Sequence, residues 1–146
     1  MDTNMDRQRA GAITLLVLPG DGIGPEIVAA TVEVLDAADR QFGLGLAYES
    51  ADIGFASLRA TGTTITDAVV ERAKQASGVV LGPVSHNEYP PVSAGGLNPS
   101  GELRRRLDLF ANIRPARSRP GLPPRCGRDI DLVIVLRWIH VCQSIS

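Results

Sequence analysis

A short apolar segment followed by three closely spaced glycines constrains the fold of this chain most strongly. Residues 13–18 form an apolar run rich in β-branched side chains, which is typical of a strand buried on both faces. Gly20, Gly22 and Gly24 then predict a tight turn, and Pro25 suits the first position of a helix. The segment therefore predicts a strand–turn–helix unit, from which α/β proteins are built.

Later segments repeat this alternation. We predict helices and strands as follows: helices at residues 25–42, 66–76 and 100–107, and further strands at residues 45–51, 78–82, 109–113 and 131–135. The sequence Thr64-Ile65-Thr66-Asp67 resembles a capping box before the second helix, and Ser100 is the predicted cap of the third. The order predicts a layered α/β/α fold with a largely parallel sheet, in which ligands bind at the carboxyl ends of strands.

The amino-acid composition of the chain limits the classes of partner that we expect it to bind. With 146 residues, 44% of them hydrophobic and 21% charged, the chain has the size and balance of one soluble domain. A net charge of -1 gives no basic surface for nucleic acid, and no apolar run reaches the roughly 18 residues needed to cross a membrane. Residues 1–12 are expected to form a disordered tail. Cys126 and Cys142 show neither metal-site nor disulfide spacing, which favours a reduced, cytoplasmic setting.

Two arginines stand out in the segment LNPSGELRRRLDLFANIRP. Arg104 is on a predicted helix, and Arg114, ten residues later, is at the end of a predicted strand. A guanidinium group binds a carboxylate through two hydrogen bonds and stays charged at any working pH, so two that converge would clamp a small dicarboxylate or hydroxy acid. The plainer alternatives are a solvated helix face for the basic run of residues 104–106 and an ordinary surface position for Arg114.

This segment, together with LPGDGIGPEI at residues 18–27, resembles the isocitrate/3-isopropylmalate dehydrogenase family over residues 13–135. The family consists of NAD- or NADP-dependent, Mg2+- or Mn2+-dependent enzymes that oxidise and decarboxylate 2-hydroxy acids, and tartrate enzymes share its framework. The resemblance implies that Arg104 and Arg114 bind substrate carboxylates, and that Arg105 and Arg106 are surface charges. It also implies an isopropylmalate dehydrogenase-like fold that is incomplete at its C-terminus, and relatives that are homodimers.

The resemblance also suggests contacts to the rest of the substrate and to the cofactor. Asn98 and Ser100 occupy the segment that contacts the variable part of the substrate, and their polarity favours a smaller or more polar group than isopropyl. Helix capping alone explains Ser100 equally well. The glycine turn lacks the G-x-G-x-x-G spacing of the dinucleotide fingerprint, so its spacing alone favours a plain turn. The resemblance, by contrast, implies that Ile23 and Gly22 lie beside the nicotinamide cofactor.

The resemblance breaks after the fifth predicted strand. Leu136 stands where the family has a third substrate arginine, and Arg137 is shifted by one residue, which on a strand would turn it to the opposite face. Residues 136–146 are interpreted as an aberrant, out-of-frame or truncated tail. The family's catalytic Tyr and Lys and its metal-binding aspartates have no counterpart here, so we assign no catalytic residue and no metal ligand, and we expect the chain alone to be inactive.

Three interpretations of function stay open. The leading one is a truncated oxidative decarboxylase of a 2-hydroxy dicarboxylic acid. The others are a non-catalytic regulatory or anion-binding subunit and a non-functional pseudogene product. Outside the motifs, His86 and His140 lack partners at metal-ligand spacing and receive no role. Asp108, inside a Leu-Asp-Leu run, predicts a structural hydrogen bond or ion pair.

Overall fold

The computed structural model describes residues 13–122 and 124–137. The chain divides into two compact units, with the boundary in the sequence between Leu107 and Asp108. The predictions for residues 1–12, for most of the proposed tail (138–146), and for His140 and Cys142 lie outside the described residues. Within the described part of the chain, no helix combines the length and the apolar character that crossing a membrane would require.

The first unit is built on a parallel sheet of three strands in the order β2-β1-β3. The strands are β1 (Ile13–Leu18), β2 (Leu46–Ser50) and β3 (Gly78–Leu81). All three agree with the sequence prediction to within one residue. The central strand is β1, and its last three residues are buried, as expected of a run that is apolar on both faces.

Four α-helices accompany the sheet: α1 (Gly24–Phe42), α2 (Gly54–Thr61), α3 (Asp67–Gln75) and α4 (Pro99–Arg106). The first begins with Pro25 in its opening turn and ends at Gly43, whose φ of 61° is the left-handed conformation that glycine adopts without steric cost. The start at Pro25, to within one residue, and the end at residue 42 agree with the sequence prediction. Between β3 and α4 the chain forms two short 3-10 turns, His86–Glu88 and Val92–Ala94.

A cluster of buried apolar side chains packs β1, α3 and α4 together with the residue before α2: Leu16, Leu18, Ile53, Ile65, Val69, Val70, Ala73 and Leu103. Complete burial of a Leu, Ile or Val side chain contributes about 1.5–3 kcal/mol. Leu103 brings α4 into this cluster, so the helix that carries Arg104 is fixed to the core of the first unit.

The sequence analysis missed the helix α2, and two of its predicted helix caps were wrong. Thr66, not Thr64, caps α3, because its side chain accepts a hydrogen bond from the Val69 N–H. Asn98, not Ser100, caps α4, since its side chain accepts a hydrogen bond from the Gly101 N–H at 3.3 Å. At both α3 and α4 the sequence has two polar residues near the helix start, and the residue immediately before the helix is the cap.

The second unit is an antiparallel ribbon of β4 (Ala111–Arg117) and β5 (Asp131–Arg137). The fourth strand was predicted to end at Ile113, but it continues to Arg117, so Arg114 lies in the middle of a strand and not at its end. The layered α/β class and the parallel sheet are confirmed for the first unit, whereas this pair is antiparallel. Large apolar side chains on the ribbon are exposed, with Ile113, Val133 and Val135 each more than half accessible.

Candidate functional site

The glycine turn lies between the end of β1 and the start of α1. A Cβ atom at Gly20 would lie 2.1 Å from the Pro83 carbonyl oxygen, and one at Gly24 would lie 2.2 Å from the Pro19 carbonyl oxygen. Larger residues would therefore collide with backbone at both positions. The backbone N–H of Asp21 donates to the Pro83 oxygen at 2.8 Å, which holds the turn against the segment that follows β3.

The two predicted cofactor residues lie on the open side of this turn. Gly22 has a φ of 57° and nothing within 4 Å of a Cβ built on it, and Ile23 is 60% exposed. An apolar side chain exposed beside an uncrowded backbone gives a flat ligand access to the carboxyl end of the central strand. The position agrees with a cofactor contact, and the contact itself stays a prediction.

The carboxylate of Asp21 joins three segments, although sequence analysis assigned it no role. It is 8% exposed. Oδ1 accepts a hydrogen bond from the Phe55 N–H at 2.7 Å, and Oδ2 accepts from the Ser85 N–H at 3.1 Å and from the Tyr89 hydroxyl. A buried carboxylate is stable only when its oxygens are hydrogen-bonded. Asp21 therefore ties the glycine turn to the start of α2 and to the loop after β3.

Gly54 leaves the space that this carboxylate occupies. Its φ is 69°, and a Cβ at this position would lie 2.3 Å from Asp21 Oδ1 and 2.4 Å from Oδ2. Its N–H donates to the Thr64 carbonyl oxygen at 2.7 Å. Glycine is thus required here both by backbone conformation and by the close approach of a side chain.

Tyr89 completes the group from the loop after β3. Its ring packs edge-to-face against Phe55, with centroids 5.0 Å apart. Burial raises the pKa of the Tyr89 phenol well above its ordinary value, and the hydrogen bond to the Asp21 carboxylate and the nearby negative charge raise the pKa further. The phenol therefore stays protonated and donates to Asp21.

A second set of hydrogen bonds fixes the segment before α4. Thr64 is fully buried, and its hydroxyl donates to the Leu97 carbonyl oxygen at 2.5 Å. Its backbone N–H donates to the Gly95 oxygen at 3.0 Å, and a Cβ at Gly95 would lie 2.0 Å from the Gly62 oxygen. These contacts position the start of α4, which carries the predicted substrate residues.

The residues predicted on α4 have different surroundings. Arg104 and Ser100 are half-buried, and Asn98 is exposed while its side chain caps the helix. Arg105 is exposed and pairs with Glu102, as expected of a surface charge. Arg106 is not simply a surface charge: it is half-buried, and its guanidinium lies 2.7 Å from Asp67, which links α4 to α3.

Arg114 is exposed on β4, and its Nε donates to Asn112 Oδ1 at 3.2 Å. In the ribbon, Arg114 lies opposite Ile134 and Asn112 lies opposite Leu136. Residues that lie opposite each other share a face of the ribbon, and successive positions along a strand alternate between its faces. Positions 114 and 136 are therefore on the same face, and position 137 is on the other. Arg104 lies in the first unit and Arg114 in the second, so their convergence stays a prediction.

Two further predictions concern single residues. Asp108 was expected to make a structural hydrogen bond or ion pair. In the described part of the chain its carboxylate makes neither, and the residue instead adopts a φ of 50°, a turn conformation that aspartate tolerates better than most residues. His86 is exposed. Across residues 13–122 and 124–137, no three His, Cys, Asp or Glu side chains are grouped closely enough to hold a metal ion.

Together, a parallel sheet, a glycine turn at the carboxyl end of its central strand and a buried carboxylate behind that turn define an α/β protein, the class in which ligands generally bind at this edge of the sheet. The family model described as isocitrate/isopropylmalate dehydrogenase matches residues 14–138. The chain belongs to this family.

Individual relatives agree with this assignment. The 3-isopropylmalate dehydrogenase of Nitratidesulfovibrio vulgaris is 40% identical over 132 residues, which are 84% of this chain and 37% of the relative. That of Psychrobacter arcticus is 37% identical over 130 residues, covering 84% of this chain and 35% of the relative. The chain therefore spans little more than a third of the length of these relatives.

Solved structures show the same relationship. The isocitrate dehydrogenase of Methylococcus capsulatus superposes with a TM-score of 0.68 at 33% identity, covering 84% of this chain and 33% of that one. The β-decarboxylating dehydrogenase of Thermococcus kodakarensis, in its apo form, gives a TM-score of 0.61 at 29% identity, covering 87% of this chain and 34% of that one. These structures confirm the α/β fold that the sequence predicted.

Proposed function

We propose that this chain supplies the substrate-arginine and glycine-turn part of an NAD- or NADP-dependent oxidative decarboxylase acting on a 2-hydroxy dicarboxylic acid. The observation that carries the proposal is the family match over residues 14–138. It is supported by the placement of the glycine turn at the carboxyl end of β1 and of Arg104 on a helix fixed to the core.

In this proposal Arg104 and Arg114 bind the substrate carboxylates. Each guanidinium offers a planar pair of N–H donors, which matches the two oxygens of a carboxylate, and its charge offsets that of the dianionic substrate. Asn98 and Ser100 lie at the start of α4 and would contact the remaining substituent. The exposed Asn98 amide, held by its capping hydrogen bond, favours a small or polar substituent over a branched apolar one.

The described residues fit the implied cofactor but not the implied metal. The exposed Ile23 beside the uncrowded Gly22 offers an apolar edge for a nicotinamide ring. When bound, the cofactor accepts the hydride from the substrate carbon. A divalent metal is not fitted by the described residues, because no acidic cluster is present among residues 13–122 and 124–137. No step through a metal is therefore assigned to this chain.

We also propose that the chain alone does not turn over substrate. By family resemblance we propose that its relatives act as homodimers, and from its cysteine spacing that it works in the cytoplasm. In this proposal Arg104 and Arg114 bind and orient a dianion, and no residue of the chain is assigned the proton transfers that such chemistry requires. A purified chain that formed NADH or NADPH from isocitrate, tartrate or isopropylmalate with Mn2+ would contradict the inactivity proposal.

A chimera tests the proposed function itself. Residues 13–135 of this chain would replace the matching segment of the Nitratidesulfovibrio vulgaris 3-isopropylmalate dehydrogenase, so that the relative's own sequence continues from position 136, within β5. We expect the chimera to reduce NAD+ or NADP+ with one of the three 2-hydroxy acids. A folded chimera that binds neither cofactor nor any of these acids would refute the proposal. A second chimera ending at residue 137 introduces Leu136 and should have much lower kcat/KM.

One observation favours the non-catalytic alternative. Leu136 belongs to the same set of strand positions as Arg114 and stands where the resemblance implies a third arginine. A leucine cannot bind a carboxylate, so this chain would retain two arginines for an anion and lack the third. If Leu136→Arg raised the affinity of the chain for tartrate several-fold without producing activity, the anion-binding subunit would be the better description.

A further inference from the structure

The end of β4 and the loop that follows it concentrate positive charge. Residues 117–129 contain four arginines, Arg117, Arg119, Arg125 and Arg128, and one acidic residue, Asp129. Arg117 forms an ion pair with Asp131 at 3.0 Å. Within the described part of the chain, Arg119 and Arg125 have no carboxylate within ion-pair distance. Neighbouring like charges raise the free energy of the loop, and an anion bound between them would lower it.

The backbone of this loop is held by turns that prolines and glycines favour. The Leu122 N–H donates to the Arg119 carbonyl oxygen at 3.1 Å, and Gly121 has a φ of 82°. Proline followed by glycine at the two central positions is the pattern of a type II turn. The turn places Arg119 and Leu122 next to each other, and Pro120 restricts the conformations that the loop can adopt.

The base of the loop is closed by two hydrogen bonds between Ser118 and Ile130. The Ser118 N–H donates to the Ile130 oxygen at 2.8 Å, and the Ile130 N–H donates to Ser118 Oγ at 2.8 Å. Because Ser118 Oγ accepts this bond, its own proton is still available to a ligand. A further turn, in which the Gly127 N–H donates to the Pro124 oxygen at 3.0 Å, carries Arg125. The described parts of this loop are therefore held by their own backbone and Ser118 hydrogen bonds.

These elements line an open groove of about 350 Å³ between the turns, which we call the arginine pocket. Its polar lining consists of Arg117, Arg119, Arg125 and the Ser118 side chain, and its apolar lining includes Leu122, Pro124 and Ile130. Asp129 lines the adjoining cavity and not this one. The arginine pocket is thus lined by three arginines and a serine together with apolar residues.

We propose that the arginine pocket binds a small organic dianion with an apolar body, such as an aryl or alkyl phosphate. Two negative charges match Arg119 and Arg125, the two pocket-lining arginines that lack a carboxylate partner, and guanidinium forks suit the oxygens of a phosphate. The apolar wall adds contact area that a bare inorganic ion cannot use. This inference does not depend on the proposed function, since none of its residues is placed in the proposed substrate or cofactor site.

Binding to the full chain can be measured by NMR, from the backbone N–H signals of Ser118, Leu122 and Gly127. The probes are phenyl phosphate, inorganic phosphate, which lacks the apolar body, and benzoate, which carries one charge. We expect phenyl phosphate to shift these three signals and to bind at least threefold more tightly than either other probe. Equal affinity for all three probes, or shifts spread over the whole chain, would overturn the proposal.

Substitutions locate the site. Arg119→Gln and Arg125→Gln each remove one charge from an exposed side chain, so both should keep the native spectrum and weaken phenyl phosphate binding by roughly three- to tenfold, because exposed charge pairs are partly screened by water. Arg59→Gln is the matched control, since Arg59 is an exposed arginine on α2, and it should leave binding unchanged. Unchanged affinity in both loop variants, or an equal loss in the control, would overturn the proposal.

Discussion

The Asp21 side chain and the Phe55 backbone N–H, 34 residues apart in sequence, are joined by a hydrogen bond of 2.7 Å. The same carboxylate also accepts hydrogen bonds from Ser85 and Tyr89, so one buried side chain links the glycine turn, the start of α2 and the loop after β3. If ligands bind beside the glycine turn, as we propose, the geometry of that turn depends on Asp21.

Replacing Asp21 by asparagine tests this role with little change in volume. One oxygen becomes an NH2 group, which cannot accept the hydrogen bonds from Phe55, Ser85 or Tyr89. We expect Asp21→Asn to lower the free energy of unfolding by about 2–3 kcal/mol, as for a lost buried hydrogen bond to a charged group. Urea unfolding followed by circular dichroism measures the change. Asp52→Asn, at an exposed position on the same unit, should change stability by less than about 0.5 kcal/mol.

Gly54→Ala separates steric collision from backbone strain. Gly54 and Gly62 both have a positive φ, 69° and 79°, but a Cβ at Gly54 would collide with the Asp21 carboxylate, whereas nothing lies within 4 Å of one at Gly62. Gly62→Ala should cost about 1 kcal/mol, the cost of the left-handed conformation alone. Gly54→Ala should cost about 3 kcal/mol or more, because the carboxylate must also move. Equal losses in the two variants would show that Asp21 does not lie against Gly54.

Tyr89 predicts the direction in which alkaline pH affects stability. Its pKa in the folded chain lies above the ordinary value of 10.0. The folded state therefore holds its proton more tightly than the unfolded state, so the contribution of Tyr89 is complete below pH 10 and is lost as the pH rises above that value. The free energy of unfolding should fall above pH 10 and the fall should be smaller in Tyr89→Phe.

Absorbance at alkaline pH measures the phenol directly. The chain contains two tyrosines, so a Tyr48→Phe background leaves Tyr89 as the sole phenol. We expect its ionisation to be delayed beyond that of free tyrosine and to coincide with unfolding. A Tyr89 phenol that titrates like free tyrosine in the folded chain would show that it is not held by Asp21.

Local signals allowed much of the first unit to be predicted from sequence. The apolar run of β1, Pro25 at the start of α1 and Gly43 at its end act within a few residues of one another, so the sequence alone specifies them. The helix α2 lacked such a signal. It begins at Gly54, whose conformation and space depend on Asp21, and a residue so distant in sequence leaves no local pattern.

The candidate site was less predictable than the fold, because its contacts also join residues that are distant in sequence. Asp21 was passed over because two of its hydrogen-bond partners are backbone N–H groups, which every residue except proline possesses. Thr64 looked like a helix cap, whereas its hydroxyl bonds to the Leu97 carbonyl oxygen, 33 residues away. Arg114 was placed at a strand end, yet β4 continues beyond it through Pro115, which lies opposite Val133. Contacts between distant segments decided each of these positions.

The central claim is that Arg104 and Arg114 bind one substrate, and kcat/KM of the active chimera tests it most directly. Arg104→Gln and Arg114→Gln should each lower kcat/KM by about 100-fold or more, since each removes a charge-assisted, two-point contact worth roughly 3 kcal/mol. Arg105→Gln, at the exposed neighbour paired with Glu102, should stay within about threefold of the parent. Values for Arg104→Gln or Arg114→Gln that match the Arg105→Gln control would contradict the account.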